Sequence, residues 1–208
     1  MKKWFVGLCI ASAVTILLGC ETNPTDDCGG LDNTVSCVSV TNVSPTDSTG
    51  TVSADVDAVQ SVCDLDDNGQ PTFETFTAHS ADITFENSQF ATASDSFDVT
   101  VRRFSVSYSL AHCPERATGC PPLTGFEGQR TFVIPQDGQA TETFPFVPLA
   151  VKDEYVAAGG EVSGSGTGAP FPTYTARYVF SATTEPFSTE IEIVALQDFT
   201  IGNFNTCQ

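Results

Sequence analysis

The sequence predicts an all-β protein, a single antiparallel β-sandwich of about seven strands over residues 51–208. From residue 51 onward, Thr, Val and Phe recur in short alternating runs separated by Gly, Pro, Asn and Asp, which is the pattern of strands joined by turns. No window of about eleven residues or longer keeps a helical hydrophobic period. The chain contains 16 Phe, so it has the apolar bulk to build a core between two sheets.

The segments that alternate like strands are 52–63, 72–85, 97–110, 126–134, 141–151, 174–182 and 189–204. In 97–110 the apolar positions change phase at the Arg102-Arg103 pair, which predicts a β-bulge or a strand that crosses between sheets. Alternation places these two arginines on opposite faces of the sheet, so at most one of them faces the core. The best candidate helix is 152–158, about two turns long.

Residues 1–20 have the layout of an export signal. Two lysines precede an uncharged apolar stretch at 4–18, which is shorter than the roughly 20 residues that a membrane-spanning helix needs. The stretch ends in Leu17-Leu18-Gly19-Cys20, which closely resembles the lipobox of bacterial lipoproteins. The resemblance implies cleavage after Gly19 and attachment to the lipid bilayer through acyl chains on Cys20. The alternatives are an ordinary secretory signal and an uncleaved anchor.

The residue after Cys20 bears on the location of the protein. In bacteria with two membranes, an Asp at this position resembles an inner-membrane retention signal, whereas this chain has Glu21. We therefore expect a lipid-anchored protein of the cell envelope, in the outer membrane rather than the inner one.

Residues 20–50 are predicted to form a lipidated N-terminus and a flexible tether. Ser, Thr, Asn, Asp, Pro and Gly dominate there, and only 35–43 is apolar enough for a strand. A binding tail is the alternative for this segment. The predicted organisation is therefore a signal peptide at 1–19, the tether at 20–50 and the β-sandwich domain at 51–208.

The charge of the chain argues against nucleic acid as a partner. Lys and Arg total 8 against 26 Asp and Glu, which is a formal net charge of −18. Nucleic acid needs a basic footprint, and anionic lipid repels an acidic surface, so we expect neither to attract the domain electrostatically.

The cysteines predict disulfides. With Cys9 in the signal and Cys20 lipidated, six of the eight cysteines remain, and an even number in an exported chain indicates disulfide pairing. Their spacing suggests the pairs Cys28–Cys37, Cys113–Cys120 and Cys63–Cys207, although the sequence alone does not choose among the connectivities. No C-x-x-C pair is present, which disfavours a zinc or haem site.

The strand pattern of 51–208 resembles the immunoglobulin-like or fibronectin III-like sandwiches of many bacterial envelope lipoproteins. The hallmarks of antibody-type domains are missing, because the predicted domain has no Trp and the expected disulfides do not have the inter-sheet spacing. The resemblance concerns architecture, and an architecture of this breadth implies no particular function.

The sharpest local motif is DLDDNG at 64–69, which fits D-x-[DN]-x-[DN]-G. Calcium binds about six to eight oxygen atoms. The motif offers the side chains of Asp64, Asp66 and Asn68 and the backbone carbonyl of Gln70. The bidentate Glu of an EF-hand loop is missing, because a Thr stands in its place. A plain hairpin turn is the alternative, since Asp-Asn-Gly favours one.

No motif for catalysis is present in the sequence. His79 is in phase with apolar residues and is expected to be partly buried, and His112 adjoins Cys113 without a nucleophile or carboxylate at a motif spacing. The Gly/Ser-rich segment 159–168 lacks the G-K-[ST] of a phosphate loop and the G-x-S-x-G of a serine elbow, so we expect a flexible loop.

The sequence thus predicts a membrane-anchored, non-catalytic envelope lipoprotein with a binding, adhesion or assembly role and an envelope protein as its partner. Two alternatives stay open, a hydrolase that acts on envelope or extracellular polymer and a calcium-dependent ligand-binding module. Two carboxylates in a cleft would favour the hydrolase, and converging oxygens at 64–70 would favour the calcium module. An exposed strand edge or apolar patch would favour partner binding.

Overall fold

The structure, a computed structural model, describes residues 36–47, 50–89, 97–115, 117, 119–162, 171–184 and 188–204. The described elements are β1 (Ser36–Thr46), β2 (Asp55–Asp57), β3 (Val62–Leu65), β4 (Pro71–Phe73), β5 (His79–Gln89), β6 (Val99–His112), β7 (Phe126–Ile134), β8 (Gly138–Val147), α1 (Leu149–Ala157), β9 (Thr173–Thr184) and β10 (Thr189–Gly202). The predicted all-β class is confirmed.

Most of the strands belong to two sheets that pack face to face. One sheet has three strands in the order β1-β5-β8, and the other has five in the order β2-β10-β9-β6-β7. Neighbouring strands are antiparallel except β2, which pairs with β10 in parallel. Strands β3 and β4 form a separate two-stranded sheet. Among the described helices, none is long and apolar enough to cross a membrane.

Aromatic side chains from facing strands fill the space between the two sheets. In β9, every second residue from Tyr174 to Ala182 is buried, as the strand period requires. The ring of Phe180 in β9 lies 4.9 Å from the ring of Phe85 in β5 and 5.0 Å from that of Phe144 in β8, measured between centroids. These rings meet at steep angles, which is the favourable arrangement for aromatic pairs.

Two tyrosines add hydrogen bonds between the sheets. The Tyr178 hydroxyl donates to the carbonyl oxygen of Pro145 at 2.9 Å, and the Tyr108 hydroxyl donates to that of Phe146. Each tyrosine therefore buries its ring while its polar tip is satisfied by β8.

The bulge that the hydrophobic pattern predicts is present in β6. Val101 and Arg103 pair with both neighbouring strands, whereas Arg102 between them takes no part in the pairing. This extra residue lets Val101 and Phe104 both face the core although they are an odd number of residues apart. The prediction that the two arginines lie on opposite faces is wrong, because the bulge leaves both of them exposed.

The first two predicted strands are each split in the structure. Segment 52–63 contains β2 and the start of β3, and segment 72–85 contains the end of β4 and the start of β5. Between Ala58 and His79 the chain leaves the large sheets, forms the hairpin β3–β4 and returns as β5. The alternation of apolar residues continues through both segments, so it does not mark the places where the chain changes sheets.

The predicted boundary between tether and sandwich at residue 51 is wrong. Strand β1 lies within the predicted tether, yet it pairs with β5 from Ser36 to Thr46 and buries Val38 and Val40 in the core. The described sandwich therefore includes β1. The predicted signal peptide at 1–19 and the first part of the tether lie outside the described residues.

Candidate functional site

The hairpin β3–β4 carries an exposed apolar face. Val62 pairs with Phe73 and Leu65 pairs with Pro71, because the register shifts by a bulge just after Val62. Directly paired residues point to the same side of a sheet, so these four side chains share one face, here called the apolar face. Val62, Leu65 and Phe73 are 56%, 62% and 55% exposed. Exposed apolar side chains grouped in this way are typical of binding surfaces.

The predicted calcium loop is the turn of this hairpin. The Asp66 carboxylate accepts hydrogen bonds from the backbone N–H of Asn68 at 2.9 Å and of Gln70 at 2.8 Å. Gly69 has a φ of 73°, which glycine adopts without strain. The N–H of Gln70, followed by that of Asn68, holds the pKa of Asp66 below its usual value.

The carboxylate of Asp64, another predicted ligand, is also engaged with the backbone of the hairpin. The Asp64 carboxylate accepts the N–H of Leu65 at 2.7 Å. In the described part of the chain, no group of three or more His, Cys, Asp or Glu residues is placed to hold a metal ion. The hairpin turn is what the structure shows at this loop, and calcium binding by Asp64, Asp66, Asn68 and Gln70 stays a prediction.

We expect calcium to bind this loop weakly, with a Kd in the roughly millimolar range of extracellular modules, because the bidentate Glu is missing. About 10 mM calcium at constant ionic strength should raise the melting temperature of the unaltered chain but not of Asp66→Ala. The ionic strength must be constant because a chain of net charge −18 is stabilised by any screening cation. An equal rise in both proteins, or the same rise with magnesium, would identify the loop as a turn without a cation site.

Buried polar contacts hold the base of the hairpin. Glu74, directly after β4, is buried, and its carboxylate accepts the backbone N–H of Ser61 at 2.6 Å. The carbonyl oxygen of Glu74 accepts a bond from the Gln60 side chain at 2.9 Å. The Ser61 hydroxyl also lies 2.9 Å from the side-chain oxygen of Asn203, which follows β10. These bonds restrict the orientation of the hairpin relative to the five-stranded sheet.

A second candidate site is a cluster of buried ionisable groups next to this base. Lys152 of α1 has no exposed surface. Its Nζ donates to the carbonyl oxygen of Thr77 at 2.7 Å and lies 4.5 Å from the centroid of the Phe76 ring. Burial lowers the pKa of Lys152 to about 8, although the carboxylates of Asp57 and Glu74 favour its charged form.

Asp57 and His79 complete this cluster. The Asp57 carboxylate accepts the N–H of Phe204 at 2.6 Å, yet burial raises the pKa of Asp57 above its usual value. His79 is fully buried rather than partly buried as predicted. Burial and, secondly, the charge of Lys152 lower the pKa of His79 to about 4.

The chemistry open to this cluster is limited by its enclosure. A lysine with a lowered pKa can act as a nucleophile where a substrate reaches it, whereas the Lys152 side chain is fully enclosed. Its contacts with Phe76 and Thr77 join α1 to the segment between β4 and β5. Lys152 therefore fixes the segment between β4 and β5 against α1.

A third candidate is a shallow groove of about 550 Å³ on the five-stranded sheet. Arg102 and Arg103 line it together with Glu190 and Glu192. Neither arginine forms an ion pair with a carboxylate in the described part of the chain. Pairs of this kind on a surface contribute little to stability in any case.

The predicted disulfide Cys113–Cys120 is present, with a Cα–Cα distance of 5.9 Å. Cys37 and Cys63 are also disulfide-bonded. Their predicted partners, Cys28 and Cys207, lie outside the described residues, and so does the predicted lipidation site.

The remaining sequence features are not assembled into a catalytic arrangement among the described residues. His112 lies exposed at the end of β6, whereas His79 is buried at the start of β5. Of the Gly/Ser-rich segment 159–168, only 159–162 are described, and Gly159 follows α1 with a φ of 80°. That conformation is common just after helices and favours glycine.

Comparison with known proteins adds a distant structural likeness. No family model matches the chain, and no curated protein matches it. Among solved structures, the chain is similar to one described as the solution structure of AT1g01470 from Arabidopsis thaliana, with 12% sequence identity. The match covers 82% of this chain and 85% of the other, with a TM-score of 0.38, and a likeness at this level carries no argument about function.

Proposed function

We propose that this chain is a lipid-anchored, non-catalytic protein of the cell envelope whose β-sandwich binds another protein, in adhesion or assembly. The observation that carries the proposal is the state of the cysteines. Every cysteine in the described part of the chain, namely Cys37, Cys63, Cys113 and Cys120, is disulfide-bonded. Disulfides persist in oxidising compartments such as the periplasm or the cell surface. This supports export, which the lipobox-like segment at 17–20 also predicts.

The binding role is supported by the apolar face of the hairpin β3–β4. A protein that only needed to be stable would gain by covering Val62, Leu65 and Phe73, since burying such side chains contributes about 1.5–3 kcal/mol each. Their exposure is explained if a partner covers them.

The strand order also supports the finer part of the fold prediction. In immunoglobulin-like sandwiches, strands A, B and E lie in one sheet and strands C, F and G in the other. The three-stranded sheet β1-β5-β8 corresponds to A-B-E, and the order β10-β9-β6-β7 corresponds to G-F-C-C′. We therefore propose the immunoglobulin-like architecture, with its two ends and open strand edges as the surfaces for partners.

The lipid anchor is tested by the variant Cys20→Ser. We expect this variant to keep its signal segment or to leave the membrane fraction, because the acyl chains have no other attachment point in the motif. The measurement is the apparent mass and the distribution between soluble and detergent-extracted envelope fractions. Cys9→Ser is the matched control, since it changes a cysteine of the same signal without touching the lipidation site. Unchanged processing and membrane attachment in Cys20→Ser would contradict the proposal.

A further inference from the structure

We propose that the apolar face of the hairpin β3–β4 binds an extended, basic segment of a partner protein, which adds to an open edge of the hairpin as a further strand. This inference rests on the binding role proposed above and specifies the chemistry of the partner. Three features of the hairpin support it, namely its open edges, its charge and its fixed base.

The hairpin has edges at which a strand can be added. Among the described strands, β3 and β4 pair only with each other, so each has one side without a neighbouring strand. Two-stranded hairpins are marginal in water, and a third strand stabilises them. Unprotected edges are the places where extended peptides join a sheet through backbone hydrogen bonds.

The charge of the hairpin specifies a basic partner. Asp64, Asp66 and Asp67 lie in the hairpin, and no Lys or Arg occurs between residues 62 and 73. A strand that alternates apolar residues with Lys or Arg would place its apolar side chains against Val62 and Phe73 and its cations near the carboxylates. The net charge of −18 opposes both a second copy of this chain and anionic lipid at the same face.

The fixed base prepares the hairpin for binding. The carboxylate of Glu74 accepts the N–H of Ser61, and Cys63 in β3 is disulfide-bonded. Because these contacts already restrict the hairpin, a partner strand loses little affinity to ordering it.

The test uses the full chain in a mild detergent and three fluorescein-labelled eight-residue peptides as probes. One peptide alternates lysine and valine, the second alternates glutamate and valine, and the third is the lysine–valine peptide with proline at two central positions. We expect saturable binding of the first peptide by fluorescence anisotropy, with an affinity that falls as salt is added. The glutamate peptide lacks the complementary charge and the proline peptide lacks the backbone donors, so both should bind at least about tenfold more weakly.

Matched variants assign the binding to the hairpin. Phe73→Ser should raise the Kd of the lysine–valine peptide by about tenfold or more, whereas Val133→Ser, at an exposed apolar position on β7, should leave it within about twofold. Asp67→Asn should weaken binding at low salt, and Glu127→Gln on β7 is its control. Thermal melting of each variant checks that the fold is retained.

Several outcomes would overturn the inference. They are no saturable binding of the lysine–valine peptide up to about 1 mM, equal binding of the glutamate peptide, and equal losses in Phe73→Ser and Val133→Ser. Self-association or vesicle binding that Phe73→Ser abolishes, without peptide binding, would assign the face to a second copy or to lipid instead. Membrane attachment through Cys20 is measured separately. Absence of membrane attachment with peptide binding intact would contradict only the proposed anchor. Membrane attachment without peptide binding would contradict only this inference.

Discussion

Replacing Phe144 by alanine is expected to lower the free energy of unfolding by about 3–5 kcal/mol. Phe144 is 1% exposed, and its ring centroid lies 5.1 Å from that of Phe104 and 5.0 Å from that of Phe180. It therefore joins β8 of one sheet to β6 and β9 of the other. The truncation leaves a cavity between the sheets that rigid neighbouring strands cannot close.

Urea denaturation followed by circular dichroism measures this loss. Phe144→Leu is the matched variant, since it retains most of the apolar volume and should cost clearly less. Val133→Ala, at an exposed position on β7, should change stability by less than about 0.5 kcal/mol. A loss below about 1 kcal/mol for Phe144→Ala would contradict the packing of the two sheets around this ring.

The second expected result is a loss of stability below neutral pH that depends on His79. Burial lowers the pKa of His79 from 6.5 to about 4. Between these values the unfolded chain binds more protons than the folded one, so stability falls as the pH falls from 6.5 towards 4 and is fully retained above 6.5. The loss at pH 5 relative to pH 7.5 is on the order of 2 kcal/mol.

His79→Leu removes the titrating group and leaves an apolar side chain in its place. The ring of His79 interacts with backbone groups of Asp55 and Thr77, and the loss of these contacts lowers the stability of the variant at both pH values alike. The stability of the variant relative to the unaltered chain should therefore increase by about 2 kcal/mol between pH 7.5 and pH 5. Other groups in the cluster, Asp57 and Lys152, are present in both proteins and their effects largely cancel in the comparison.

Denaturant titrations at the two pH values give this difference. His112→Gln is the control, since His112 lies exposed at the end of β6 and its replacement should leave the pH dependence of the unaltered chain unchanged. If His79→Leu and the unaltered chain lost stability equally between pH 7.5 and pH 5, the buried, neutral state of His79 would be contradicted.

The sequence predicts the central strands because each buries one face completely. In β9 the buried residues alternate without interruption, so the period alone identifies the strand. In β6 even the irregularity is visible, since the change of phase between Val101 and Phe104 is what a bulge produces in a strand with one buried face.

The sequence shows an apolar segment at 35–43, but it does not show that this strand belongs to the sandwich, because β1 lies at the edge of the sheet. Its buried residues Val38 and Val40 alternate with Cys37, Ser39 and Thr41, and Pro45 lies within its pairing with β5. Polar residues and proline are common in edge strands and in flexible tethers alike. Composition therefore cannot distinguish an edge strand from a flexible tether, and only the pairing with β5 does.

The candidate sites depend on contacts that no local pattern contains. Val62 and Leu65 are an odd number of residues apart, so strict alternation assigns them to opposite faces. The bulge that places both on the same face is visible only in the pairing with β4. The buried cluster brings together Asp57, His79 and Lys152 from three separate elements. The one signal in the sequence is that Lys152 is the only lysine after residue 3.

The pairing of β1 with β5 would have a mechanical consequence in the N-terminally anchored arrangement proposed above. The ladder runs from Ser36↔Gln89 at one end to Thr46↔Ser80 at the other, and the hairpin β3–β4 joins β5 at the Ser80 end. A pull between the start of β1 and a partner on the hairpin is therefore directed along the strands. Such a force shears all hydrogen bonds of the ladder together instead of opening them one after another, so the first described strand is well placed to resist tension.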